Sequence, residues 1–144
     1  MNAQDEKTLI MKTLNGLRAF AEYLVTIGLE SNRNKIVGIR NLTAWVASFH
    51  CVEGYDGDSD ARIGKKYLEP LDELLAGKTI EKPDFHQIHM KAVIKGLDYY
   101  REELEDPTLY ESVYDYDIRL CTEIVEDIKI KLAQEESQAL GQTM

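Results

Sequence analysis

The sequence predicts an all-α fold, a single-domain antiparallel bundle of about five helices. Three observations carry that prediction. Apolar residues recur at helical spacing through most of the 144 residues. No strand-like alternation of useful length occurs. The periodic stretches are joined by short connections, which favour antiparallel neighbours. A chain of this length with 44% hydrophobic residues can build a real core without disulfides or metal staples. Residues 1–144 read as one helical domain, and the tail 137–144 is expected to fray.

The elements follow in order. Ile10, Leu14, Leu17, Ala21, Leu24 and Gly28 succeed one another in steps of four and three, one face of an amphipathic helix. Phe20, Tyr23 and Ile27 widen that face. Gly28 is expected to close the helix and Ser31 to cap a second one. The second carries Ile36, Ile39, Leu42, Val46 and Phe49, with Trp45 beside them, and is expected to end near Glu53-Gly54. Residues 54–60 are a loop by composition. A third helix is strongest from Pro70 to Gly77, with proline at its start, acids in its first turn and glycine at its end. Residues 61–69 are expected to be helical too, with a break at Pro70. Asp84 and Gln87 read as a capping pair for a fourth helix, whose core stripe is Met90, Val93, Leu97, Tyr100 and Leu104. Glu105-Asp106-Pro107 stops that helix and starts the last. There Tyr114, Ile118, Cys121, Val125, Ile128 and Leu132 keep the rhythm, broadened by Leu120 and Ile124.

Charge narrows the function. Seventeen bases oppose 26 acids, for a net charge of −9. A negative field disfavours direct binding of nucleic acid and docking on an anionic membrane. No 18-residue apolar run and no secretory leader stand out, and two cysteines make no disulfide framework. A cytoplasmic protein is expected. The charge is also local. Asp98 through Asp127 holds eleven acids against Arg101 and Arg119, so this segment carries −9 and the remainder sums to zero. Five of the eight tyrosines, Tyr99, Tyr100, Tyr110, Tyr114 and Tyr116, lie in the same segment.

Several patterns invite a chemical reading. Asp56, Asp58 and Asp60 occupy positions 1, 3 and 5 of a calcium-loop pattern, with Ile63 at position 8. Ala61 and Tyr67 stand where that loop needs its glycine and its bidentate glutamate. The competing reading is a solvated loop in which Ser59 or Asp60 caps the third helix. His86, placed on the core side of the fourth helix, and His89 three residues on form a His-x-x-His pair, and His50 with Glu53 a His-x-x-Glu pair. No Glu-x-x-His occurs, so a di-iron carboxylate bundle is not indicated. Glu102/Glu105 and Glu123/Glu126, with Asp127 beside them, have the spacing of magnesium-clamping acid pairs in all-α hydrolases of phosphorylated small molecules. Counted from a turn near Pro107, the two pairs miss each other by about 15 Å along the helix axis. Cys51 and Cys121 read as small apolar residues, and no nucleophile elbow or phosphate loop is present.

The acidic, tyrosine-rich hairpin is therefore the feature that points to function. Tyr99, Tyr110 and Tyr116 would supply rigid contact area, and Glu111, Asp115, Glu126 and Asp127 the field that steers a basic protein partner. The expected protein is a small binding module of inhibitor, immunity or adaptor type, without a cofactor or a catalytic residue. Self-association as a homodimer is compatible with its wide apolar helix faces. The alternative is a metal-dependent all-α hydrolase using the acid pairs and His86/His89.

Overall fold

The computed structural model describes residues 2–49, 64–105 and 111–143; for 48, 49, 64, 65, 111–114 and 140–143 it describes the backbone alone. The regular elements among the described residues are all helical. They are α1 (Ala3–Phe49), a π-helical turn (Gly64–Leu68) that runs into α2 (Glu69–Leu75), α3 (Gln87–Leu104) and α4 (Glu111–Thr143). Among the described residues four α-helices thus stand where about five were expected in the chain.

The difference lies at Gly28. Its φ of 159° and ψ of 112° are not helical, but the chain resumes helical winding at once, so the first two predicted helices are one helix with a kink. Side chains make this continuity affordable. Asn32 Nδ2 donates to Gly28 O at 2.9 Å and reaches back to Leu24 O at 3.4 Å, and Ser31 Oγ donates to Gly28 O at 3.2 Å. Leu24 O, one turn before the kink, and Gly28 O at it thus each accept from a side chain. Ser31 does not cap a new helix; it repairs a continuing one.

The later boundaries follow local chemistry. The break expected at Pro70 is a change from π to α winding one residue earlier, which leaves Pro70 in the first turn of α2, where its missing N–H costs nothing. Gly77, at φ 106°, closes α2: Gly77 N–H donates to Leu74 O and Lys78 N–H to Glu73 O. The start of α3 differs from the predicted Asp84/Gln87 cap. His86 is extended and is the N-cap, and its N–H donates to His89 Nδ1 at 3.1 Å. Asp84 is drawn away to pair with His86 Nε2 at 2.8 Å. Helical phase does not reach back past Gln87, so His86 is exposed, not on the core side.

The core joins all four helices. Ile10, Leu14, Leu17, Ala21 and Leu24 are buried, and so are Ile36, Ile39, Leu42 and Val46. Leu71 and Leu74 of α2, the five predicted stripe residues of α3, and Leu120, Cys121, Ile124, Val125 and Ile128 of α4 complete one cluster. Ile27 is 57% exposed, against expectation. On the helical wheel it lies about 100° from the centre of the core stripe. Tyr23 lies farther round but is covered, because Phe85 packs on it and on Phe20 with ring centroids 5.6 and 5.3 Å away.

Packing of α1 against its neighbours changes at the kink. Its first half lies on α3 through two glycines: a Cβ on Gly16 would stand 2.5 Å from Val93 Cγ2, and one on Gly96 1.7 Å from Thr13 Oγ1. Its second half meets α2 and α4. Arg40 pairs with Asp72 at 2.9 Å, and Arg33 donates to Leu75 O, a terminal carbonyl of α2, at 2.8 Å. Lys35 pairs with Asp127 of α4 at 2.6 Å. The tail of α4 stays helical to Thr143, with residues 136–139 exposed along it.

Candidate functional site

The structure sorts the acids of residues 98–127 into two groups. One group is tied into the fold. Asp98 pairs with Arg101 at 3.2 Å, Asp127 with Lys35, and buried Asp117 accepts from the Tyr100 hydroxyl at 3.3 Å. Glu103 lies against the Tyr99 hydroxyl, which donates to Glu6 Oε2 at 3.0 Å. The other group is solvated: Glu102, Glu105, Asp115, Glu123 and Glu126 are exposed and have no ion-pair partner among the described residues. Asp106 lies outside the described residues, as does the side chain of Glu111.

Helical spacing then selects a face. Tyr116, Leu120, Glu123 and Asp127 succeed one another in steps of four, three and four, so they share one side of α4. That side looks onto Asn34, Lys35 and Gly38 of α1, and a groove of about 290 Å³ runs between them. Gly38 faces the tip of Leu120 across it, where a Cβ would stand 3.0 Å from Leu120 Cδ1. Tyr116 is held at the end of the groove by Trp45, with ring centroids 5.8 Å apart and planes at 83°. This edge-to-face contact orients the ring while leaving the residue 49% exposed. Leu120 and Ile124 supply an apolar floor, Glu123 a solvated carboxylate, and Asp127 a carboxylate shared with Lys35.

The predicted site residues are not all together. Asp115 and Tyr116 lie about three turns before Glu126 and Asp127 on α4, and Tyr110 lies outside the described residues. Tyr99 is half-buried against the first turn of α1, whereas Tyr116 meets the last turns. The Tyr99 phenol is held well above the ordinary tyrosine range, first by the adjacent Glu103 carboxylate, then by burial and by Glu6. Two contributors are not legible in the sequence. Trp45 lies beside a core stripe and Lys35 falls in no motif, because nothing in local spacing links either to its partner on α4, 71 or more residues later.

The residues considered for chemistry are engaged differently. Among the described residues no group of three or more His, Cys, Asp or Glu side chains is placed to hold a metal ion. His86 and His89 stack with centroids 5.9 Å apart, but His89 Nδ1 accepts the His86 N–H and His86 Nε2 meets Asp84. Asp56, Asp58, Asp60, His50, Cys51 and Glu53 lie outside the described residues. Cys121 is fully buried, and burial, reinforced by the Asp117 charge, pushes its thiol up to about 12. A thiol held protonated in this way is a poor nucleophile. No described helix is long and apolar enough to cross a membrane. No protein-family model, no curated protein and no solved structure matches the chain.

Proposed function

We propose that the protein is a small cytoplasmic binding module that docks on a basic protein surface through the α4 face around Tyr116. The observation that carries this reading is the pairing of an exposed, Trp45-oriented tyrosine with the carboxylate-lined groove beside it. A partner arginine or lysine entering the groove meets the Glu123 carboxylate and competes with Lys35 for Asp127, while its stem lies on Leu120 and Ile124. Asp115 and Glu126, solvated on the same helix, extend the negative field and raise the encounter rate with a cationic surface. Tyr116 serves as the rigid anchor, a role suited to a large ring already fixed before binding.

Affinity capture with the immobilised protein tests this. Wild type is expected to retain proteins of basic isoelectric point, identified by mass spectrometry, and to release them as salt rises. Tyr116→Ala and the pair Glu123→Lys/Glu126→Lys are each expected to reduce that retention about tenfold or more. Equal retention by wild type and the charge-reversed variant, with unchanged circular dichroism, refutes the assignment.

A further inference from the structure

A second groove lies between the first turns of α1 and α3 and encloses about 470 Å³. Leu9 and Ala92 form its apolar floor, and Ile88 stands at its rim, 70% exposed. Lys12 rises from one wall and Lys91 and Lys95 from the other. Lys91 and Lys95 are one helical turn apart, a spacing at which like charges repel. All three lysines lack an ion-pair partner among the described residues, and Asp5 is the one carboxylate in the lining. A protein of net charge −9 thus carries a local positive field around an apolar strip.

We propose that this groove binds an acidic amphipathic helix of a partner protein. Lys91 and Lys95 stand a full turn apart on one wall, about 5.4 Å of axial rise, with Lys12 on the other and the apolar strip between them, a lining that suits an extended amphipathic ligand better than a single phosphate. An incoming helix lays apolar anchors on Leu9, Ala92 and Ile88 and sets carboxylates against Lys12, Lys91 and Lys95. The close contact at Gly16 and Gly96 fixes the two walls in advance, so the groove exists before the partner arrives. This surface is independent of the α4 face and takes a partner of opposite charge.

Fluorescence anisotropy with labelled helical peptides of about 18 residues tests the proposal. One peptide carries leucines at three- and four-residue spacing flanked by glutamates; its twin carries glutamine in place of glutamate. The glutamate peptide is expected to bind about tenfold more tightly than its twin and to weaken as salt rises. Lys91→Glu/Lys95→Glu, and separately the milder Lys91→Gln/Lys95→Gln, are expected to cost about tenfold, and Ile88→Ser about fivefold. Tyr116→Ala is expected to leave this binding unchanged, which separates it from the α4 reading. Equal affinity for the two peptides, or no effect of either lysine pair, overturns the proposal. So does binding of phosphatidylserine vesicles or inorganic phosphate through these lysines with no binding of the glutamate peptide.

Discussion

Replacing Gly96 by alanine sets two effects of opposite sign against each other. In an isolated helix the change stabilises by about 1 kcal/mol, because glycine pays more backbone entropy than alanine. Here the new Cβ would lie 1.7 Å from Thr13 Oγ1, 2.7 Å from Thr13 Cβ and 2.8 Å from Thr13 Cγ2. Rotating Thr13 exchanges its two branches but leaves its Cβ in place, so the overlap is relieved only if α1 and α3 move apart. Thr13 is fully buried and its hydroxyl donates to Leu9 O at 2.7 Å, which restricts it further. Over-packing of this kind costs about 3 kcal/mol. The net expectation is a loss of about 2 kcal/mol, or about 4–8 °C in Tm for a chain of this size. Urea unfolding followed by circular dichroism at 222 nm reads the difference. Adding Thr13→Ala removes two of the three clashing atoms and is expected to return about 1 kcal/mol as a coupling between the sites. Gly38→Ala makes the contrast, because its Cβ meets only the end of the Leu120 side chain, at 3.0 Å, beside an open groove. It is expected to be neutral or stabilising by about 0.5 kcal/mol. A Gly96→Ala protein as stable as wild type would refute glycine-mediated packing of α1 on α3.

Three further outcomes are expected. Burial raises the Asp117 pKa above its ordinary value, so the folded protein binds more protons than the unfolded chain between those two values, and stability falls as pH rises through that window. Asp117→Asn is therefore expected to flatten the pH dependence of urea midpoints above about pH 4, the ordinary carboxylate range; parallel curves for the two proteins would contradict it. Cys121 is expected to resist iodoacetamide at pH 8 in the folded protein and to react on adding urea, as read by peptide mass spectrometry; rapid labelling of native Cys121 would disprove its burial. Leu17→Asp or Leu97→Asp, each placing a charge at a fully buried position, is expected to abolish the helical signal; a circular dichroism spectrum identical to wild type would overturn the core assignment.

Much of this fold was legible because its determinants are local. The stripes Ile10–Leu24, Ile36–Val46, Met90–Leu104 and Cys121–Ile128 predict burial correctly, with Ile118 and Leu132 only partly buried and the side chains of Phe49 and Tyr114 outside the described residues, since 3.6-residue winding carries phase information within one helix. Two kinds of feature escaped. The first is a helix end. Gly28 and Ser31 have the residue types of a stop and a start, but Asn32 bonding back to Gly28 and Leu24 keeps the helix going. His86 was given the phase of Met90, although α3 begins one residue after it. The second is any contact between helices. Gly16 and Gly96 look like weak points in their own helices, and only their apposition to Val93 and Thr13 makes them useful.

The same distinction governs the charge. Counting along the chain assigns −9 to residues 98–127, but a count has no access to partners outside the segment. Lys35 takes up Asp127 from α1, Glu6 joins Glu103 at the Tyr99 hydroxyl, and Asp117 is withdrawn into the core. What remains exposed is a smaller set of carboxylates, Glu102 and Glu105 at the end of α3 and Asp115, Glu123 and Glu126 on α4. The converse holds for Lys12, Lys91 and Lys95. They lie in parts of the sequence that sum to zero charge, yet the antiparallel contact of α1 and α3 gathers them around one apolar groove. Net charge thus conceals a division of the surface: a basic groove on the α1–α3 side and an acidic face on α4. The two proposed binding modes, for partners of opposite charge, require that the faces be set by rigid helix contacts. The Gly16–Val93 and Gly96–Thr13 contacts serve the first, and the Lys35–Asp127 and Trp45–Tyr116 contacts the second.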